Sequence, residues 1–503
     1  MDLLGHGSRK PRWLQPIDAV ALPCRKRTGR ALILAVSTSL VWTGVAFAQD
    51  RVVTEVTERD AHREFGYTPM KDGVRLAYVV WRPKKEGRYP VLLRYTAYAE
   101  DALTFAQVKA YLDAGYAVVG ANIRGSGCSE GENFVPFLAN EGPDGAQIVE
   151  WAGVQPWSTG NVGMVGISYA SDVQWLVGAE QPPHLKALSI AGSSASDYRD
   201  WLMVGGQFQQ FMVGDWGLIG QESGARAGAE RRIKEWGDKE CAQILAGRKP
   251  HDFYYQVQQH PLQDEWWEGA GRGKERVAAR ITVPTMLMAG LQDDATNPAA
   301  AARGFAHLLP KVTHKKLVYT NGGHGAPATA PVAQETIRWM DRWLKGVNNG
   351  VDKEPPVKIF WETRIPNADF GDRYPVSSEQ LARAVPGWTT TYANWPVPNL
   401  QRTTFYLTGD AKLSRTQPGA SPDQGVRNYL YPTGTERVGS NKQFALAPES
   451  IGSLSYRTDP MTADMALLGN PEKKSRSILA LRRPIRISWR HSRTSTLRAT
   501  LYI

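Results

Sequence analysis

Cysteine is scarce in this chain: 503 residues include three, at Cys24, Cys128 and Cys241. So few thiols exclude a fold built on a disulfide framework. Long apolar runs are scarce too. The uncharged stretch 31–45 stands alone, and no later segment approaches membrane-spanning length. Basic charge is plentiful overall, at +11 net, but it is unevenly placed. Seven of the 60 Lys and Arg residues lie in 1–48 and nine lie after 471, which leaves 44 basic against 46 acidic residues between them. A near-neutral body offers no surface for nucleic acid, and none is expected as a partner. Internal repeats are absent.

The apolar stretch 31–45 follows the cationic group Arg25, Lys26, Arg27 and Arg30 and precedes Ala46-Phe47-Ala48, a small-x-small cleavage pattern. That order predicts a signal peptide over 1–48 and an exported protein, periplasmic or secreted, with no stable membrane span after cleavage. An N-terminal membrane anchor is the alternative. The long basic stretch ahead of Arg25 is compatible with a start further in. Removal of the leader takes Cys24 with it, and whether Cys128 and Cys241 pair stays open at this level.

From about residue 74 to 345, short apolar runs alternate with helical spacing. Strands are expected over 74–81, 90–95, 116–123, 162–167, 187–191, 285–289 and 316–320. Helices are expected over 106–114, 144–152, 169–180, 298–309 and 332–344, the last ending at Gly346. This alternation predicts an α/β fold, a mostly parallel sheet covered on both faces. Between 192 and 283 the alternation stops. The segment keeps helical spacing and carries Trp201, Phe208, Phe211, Trp216, Tyr254, Tyr255, Trp266 and Trp267. Some 90 structureless residues would be unusual, so an inserted helical cap is expected, or else a solvent-facing excursion with its own small core. After Glu354-Pro355-Pro356, short β-type runs (357–361, 404–408, 452–456) suggest a separate all-β domain. The expected division is a first α/β part over 49–194, the cap over 195–282, a second α/β part over 283–352, a β domain over 353–471 and an atypical basic tail over 472–503. No acid follows Glu472, so that tail reads as an aberrant or frame-shifted end, or as a basic binding segment.

Chemistry is first suggested by GMVGISYAS, residues 163–171. A serine on a sharp strand-to-helix turn needs small residues two places before and after it, here Gly166 and Ala170. With 48 glycines, such a string arises easily by chance. Gly127-Cys128-Ser129-Glu130-Gly131 fits the strict glycine form better, but a glycine-rich loop follows it. Ser168 instead closes the strand at 162–167 and opens the helical stretch YASDVQWLVGAE. A serine hydroxyl needs a histidine base oriented by a carboxylate, and in this fold the chain order is Ser, Asp or Glu, His. Asp293 follows the strand at 285–289 and is the expected acid, with Asp294 second. Of the later histidines, His307 falls in a helical pattern, His314 precedes a strand and His491 lies in the tail. His324, in Gly322-Gly323-His324-Gly325, follows the strand at 316–320 and is the expected base. Oxyanion donors are expected from the Tyr169 amide and from the loop after 91–95, which holds Tyr98.

Several segments resemble one family. They are Pro90-Val91-Leu92-Leu93 with Tyr98, NIRGSGCSEGE, DGAQIVEWAGVQPWSTGNVGMVGISYAS, and RWMDRWLKGVNNGVDKEPPVKIF. Together they are similar to the cocaine-esterase-like and Xaa-Pro dipeptidyl-peptidase-like serine hydrolases, which include α-amino-acid ester hydrolases, over roughly 65–470. The resemblance implies an α/β-hydrolase domain with an inserted helical cap, followed by a jelly-roll-like β domain that looks incomplete in this sequence. It implies Ser168 as nucleophile, Asp293 as acid, His324 as base, and an oxyanion hole from the Tyr98 hydroxyl and the Tyr169 amide. Four features depart from the family. Ala170 stands for the usual glycine, Leu291-Gln292 replaces an aromatic-rich loop, His324 lacks a Trp-Thr lead-in, and the last thirty residues follow no family pattern.

The expectation is therefore an exported serine hydrolase, independent of cofactor and metal, that forms an acyl-enzyme from a small ester or a short peptide. Ester cleavage ranks first and Xaa-Pro peptide cleavage second. The latter needs a cap carboxylate for the substrate's amino group, and neither Asp215 nor Glu222 can be assigned that task from sequence. A non-catalytic binding protein on a hydrolase scaffold is the alternative of another class. Oligomeric state is left open.

Overall fold

The computed structural model describes residues 55–131, 137, 139–209, 212–214, 221–248, 253–269, 271–293, 295–361, 363, 383–417, 456–459, 472–474 and 498–502. The leader, Phe211, Asp215, Trp216, Asp294, His491 and most of 452–456 lie outside them, as does the Glu222 side chain.

The chain opens with β1 (Ala61–Pro69), β2 (Arg75–Pro83) and β3 (Tyr89–Thr96), then α1 (Phe105–Asp113) and β4 (Ala117–Asn122). Next come α2 (Glu141–Gly153), β5 (Ser158–Ile167), α3 (Tyr169–Glu180) and β6 (Leu185–Ala191). Five helices follow: α4 (Gln221–Trp236), α5 (Lys239–Ala246), α6 (Phe253–Gln259), α7 (Glu265–Glu268) and α8 (Lys274–Ala278). The alternation resumes with β7 (Thr285–Gly290), α9 (Ala299–Arg303), β8 (Lys315–Thr320), α10 (Ala330–Lys345), β9 (Val357–Trp361) and β10 (Trp388–Tyr392). These ten strands form one mixed sheet in the order β1-β2-β4-β3-β5-β6-β7-β8-β9-β10. Pairing is parallel from β4 through β9 and antiparallel at both margins.

Near-continuous apolar strands are what a sheet covered on both faces demands, because alternate residues enter different cores. Val91 and Leu93 of β3 join one core with Val162 and Met164 of β5 and Leu188 and Ile190 of β6. Leu92, Val165 and Ala187 join a second, which Trp339, Met340 and Leu344 of α10 cover. Leu92 is the register partner of Val118, and Val118 packs with Val108 and Leu112, so α1 shares the face of α10. Ile148 of α2, Val173 of α3 and Phe305 after α9 close the other face. Gly346, in the left-handed region at φ 71°, ends α10 as its position suggests.

Two parts of the expected outline need correction. The strand β1 was not anticipated. Its His62, Arg63 and Glu64 break the apolar pattern, and it is an edge strand of intermediate exposure. Val357–Trp361, read as the opening of a separate β domain, instead extends the main sheet beside β8, and β10 follows as the new edge. Charge explains its place. Lys316 of β8 and Lys358 of β9 both donate to buried Glu335 of α10, at 2.9 and 2.7 Å, and both reach Glu354. Beyond it, β11 (Arg402–Leu407), β12 (Leu413–Ser414), β13 (Glu472–Lys474) and β14 (Arg498–Tyr502) form a four-stranded antiparallel sheet in the order β12-β11-β14-β13. The described strands do not make a jelly roll. Part of the basic tail, β14, is taken up as a strand of this sheet.

The helices between β6 and β7 are docked on the sheet rather than free-standing. Arg232 of α4 is fully buried, with Nε donating to Asp238 at 2.6 Å and its two Nη groups to the carbonyls of Asp101, Tyr78 and Gly66. Beside it Cys128, on the loop after β4, is disulfide-bonded to Cys241 of α5, closing a loop of sequence separation 113. A cross-link of that span restrains the unfolded chain strongly. Replacing both cysteines by alanine is expected to cost about 2–4 kcal/mol in denaturant unfolding. An unchanged midpoint would show that the bond carries no load.

Candidate active site

Ser168 sits between β5 and α3 with φ 65° and ψ −132°, a conformation few L-residues adopt. Its surroundings hold it there. The Ser168 amide donates to the Ala191 carbonyl at the end of β6, at 3.0 Å, while the amides of Ser171 and Asp172 return to the Ser168 carbonyl at 2.7 and 3.0 Å. Ser171 Oγ donates to the Gly166 carbonyl and accepts from the Ala191 amide, both at 2.8 Å, locking the two strand ends together. At Gly166 a Cβ would stand 2.5 Å from that of Ala170. Ala170 therefore fills the clearance beside Gly166, which cannot be anything larger.

The loops after β7 and β8 are zipped together by Leu291 N to Thr320 O (2.8 Å) and Gln292 N to Gly322 O (3.0 Å). Gly290 permits this approach, since a Cβ there would lie 2.4 Å from the Gly322 carbonyl. The result brings Asp293 against His324: Nδ1 lies 2.9 Å from Oδ2 and 3.1 Å from Oδ1. Asp293 also accepts from the amides of Ala295 and Thr296 and from the Thr296 hydroxyl, at 2.9, 2.9 and 2.8 Å. Burial alone would raise this carboxyl, but the His324 and Thr296 bonds outweigh it and hold it below its ordinary value. An ionised Asp293 fixes the imidazole proton on Nδ1, which makes Nε2 the basic nitrogen.

Gly192 links the two halves of the site. A Cβ there would stand 3.4 Å from the His324 ring and 3.5 Å from Asp293 Oδ2, and the preceding carbonyl is the one that holds the Ser168 amide. Ser168, Asp293 and His324 thus gather at the carboxyl ends of β5, β7 and β8, with β6 between them. Tyr98, after β3, lies edge-on to Tyr169 with ring centroids 6.3 Å apart. The Tyr169 hydroxyl donates to Glu141 Oε1 at 2.7 Å and accepts from the Phe137 amide at 3.0 Å, and burial pushes it well above the usual tyrosine range.

The competing serine has no such freedom. Ser129 is fully buried, with Oγ donating to the Asn122 carbonyl at 2.7 Å and accepting from the Ala77 amide at 2.9 Å. Sequence reasoning did not anticipate Thr296 or Glu141. A carboxylate followed three residues on by a threonine is the only local signal for the first, and nothing near Glu141 points to Tyr169. Among the described residues no group of three or more His, Cys, Asp or Glu side chains is placed to hold a metal ion, and no helix is long and apolar enough to cross a membrane.

Gly166→Ala is expected to destabilise the fold by about 1–3 kcal/mol through the clash with Ala170. Adding Ala170→Gly should recover part of that loss in the same urea titration. Equal midpoints for wild type and Gly166→Ala would refute the tight-elbow account.

Known proteins resemble this chain over much of its length. Residues 72–326 match the family described as X-Pro dipeptidyl-peptidase (S15 family), and 349–475 match the X-Pro dipeptidyl-peptidase C-terminal non-catalytic domain. A cocaine esterase of Rhodococcus sp. is 29% identical over 405 residues, covering 72% of this chain and 66% of that protein. Among solved structures, a CocE/NonD family hydrolase from Staphylococcus aureus aligns with TM-score 0.52 at 21% identity, covering 71% of this chain and 60% of that one. An aminopeptidase from the marine sediment archaeon Thaumarchaeota archaeon aligns with TM-score 0.55 at 18% identity, covering 75% and 67%. The two solved structures bear on fold alone. This chain spans between 53% and 66% of the length of the curated relatives it matches. The core sheet, its mixed margins and the matched segments agree: the chain belongs to the X-Pro dipeptidyl-peptidase (S15) family of α/β hydrolases, with a C-terminal non-catalytic domain.

Proposed function

We propose that this protein is an exported serine hydrolase that cleaves small acyl esters through an acyl-enzyme on Ser168. The observation that carries the reading is the strained serine at the β5–α3 turn, set across Ala191–Gly192 from an Asp293–His324 pair of fixed tautomer. In this mechanism His324 Nε2 takes the Ser168 hydroxyl proton as Oγ attacks the ester carbonyl carbon. The resulting oxyanion is held by the Tyr169 amide and the Tyr98 hydroxyl. Collapse breaks the bond to the alcohol, which leaves with the proton from His324. Water, deprotonated by His324, then releases the acid and restores Ser168. Asp293 stays ionised throughout and stabilises the imidazolium.

Export is supported by the leader pattern and by the Cys128–Cys241 bond, since such bonds persist in oxidising compartments. The β strands after β10 are proposed as the start of the jelly-roll-like domain the resemblance implies. Ester cleavage is placed first because the 29%-identical relative is a cocaine esterase. Xaa-Pro peptide cleavage is second, favoured by the family description itself.

The test compares p-nitrophenyl acyl esters with Xaa-Pro p-nitroanilides. Higher kcat/KM on the esters is expected, with Ser168→Ala reducing kcat on the order of 10⁶-fold and Asp293→Asn about 10⁴-fold. Preference for the anilide would reverse the substrate order. Undiminished turnover by Ser168→Ala would remove the mechanism.

A further inference from the structure

Behind the site lies a charge cluster that the mechanism above does not use. Lys274, the first residue of α8, is completely buried, as are the two carboxylates it meets. Its Nζ bonds Asp197 Oδ1 and stands 3.2 Å from Asp172 Oδ1, with the Phe137 ring 4.8 Å away. The Oδ2 atoms of both aspartates are buried and accept no hydrogen bond among the described residues. One ammonium thus faces two buried carboxylates, and a buried charge without its counter-ion is strongly unfavourable. Burial pushes the Asp197 carboxyl up while Lys274 pulls it down. The paired carboxylates outweigh burial and keep Lys274 charged.

The cluster is wired to the candidate site through short bonds. Asp172, in the first turn of α3, donates its amide to the Ser168 carbonyl. Its Oδ1 accepts from Ser193 Oγ at 2.9 Å and from the Ser194 amide at 3.0 Å, and Ser194 Oγ lies 3.0 Å from it and 2.9 Å from Asp197 Oδ1. That serine pair directly follows Gly192, the residue against His324. We propose that Lys274 is a positioning residue: the helical insert sets the Ser193–Ser194 turn, and through it the spacing of Ser168 and His324, by placing one positive charge between Asp172 and Asp197. This role rests on the serine-hydrolase reading.

A neutral residue at 274 leaves Asp172 and Asp197 to repel one another when both are ionised, and lets them share a proton at lower pH. Arg272 on the insert, Glu141 of α2 and Tyr169 of α3 also act electrostatically here and remain in place. Comparison with wild type at each pH therefore isolates the missing ammonium.

The experiment is p-nitrophenyl acetate hydrolysis by wild type, Lys274→Met and Lys274→Met/Asp197→Asn between about pH 5.5 and about pH 8.5. For Lys274→Met, kcat relative to wild type should be at least roughly tenfold down at the alkaline end and recover toward the acid end. KM should move little. The double variant, which again carries one net negative charge, should give a flat and higher ratio. If Lys274→Met folds too poorly to assay, thermal unfolding carries the same sign. A shared carboxyl proton with a raised folded pKa contributes stability below the ordinary aspartate value, and that stability is lost as pH rises through the raised one. The unfolding midpoint should thus fall against wild type as pH rises. A pH-independent ratio for the single variant, equal to that of the double, would overturn the role. An active wild type beside that result overturns this inference alone, whereas a wild type inert toward esters overturns the hydrolase reading and this role with it.

Discussion

The backbone of Ser168 is the constraint around which the rest of the site is arranged. A non-glycine residue at φ 65° survives only where neighbours over-determine it. Here they do so from three sides. The end of β6 captures the serine amide, Ser171 cross-links the carboxyl ends of β5 and β6, and Gly166 has no room to be anything else beneath Ala170. The strain is borne by a central parallel pair with cores on both faces, so it does not relax locally.

Sheet order then supplies the partners. Asp293 and His324 lie more than a hundred residues from Ser168 in sequence, yet parallel pairing puts their loops at one rim. Close approach at Gly290 brings the two loops within backbone bonding distance, and the imidazole becomes the bridge between them and Gly192. The insert between β6 and β7 is tied down at two places of different chemistry. Arg232 and the Cys128–Cys241 bond hold α4 and α5 against the β1–β2 margin, and Lys274 holds α8 against the elbow helix. A segment fastened so firmly is part of the packed body rather than a free excursion.

Much of this was legible because buried parallel strands write themselves as short apolar runs. The strands at β3 through β8 fell within a few residues of their expected bounds for that reason. The geometry at Asp293 and His324 was reachable through strand-end position and chain order, without any contact being visible. Other parts carried no local signal. Strand β1 is half polar, being paired on one side only. The prolines before β9 looked like a boundary, whereas the lysines that tie β8 and β9 to Glu335 act across distance. Glu141 holds Tyr169, and Lys274 holds Asp172, through bonds between elements far apart in the chain. Pairings of that kind are properties of the packed fold and not of any window of residues.

The proposed reaction depends on an activated hydroxyl at the Ser168 turn. Incubation with a fluorophosphonate, followed by proteolysis and mass measurement, tests it most directly. One phosphonyl adduct per chain is expected, on the peptide containing Ser168, and it should be lost when His324 is replaced by alanine. Adduct on another residue, or labelling that is indifferent to His324, would contradict it.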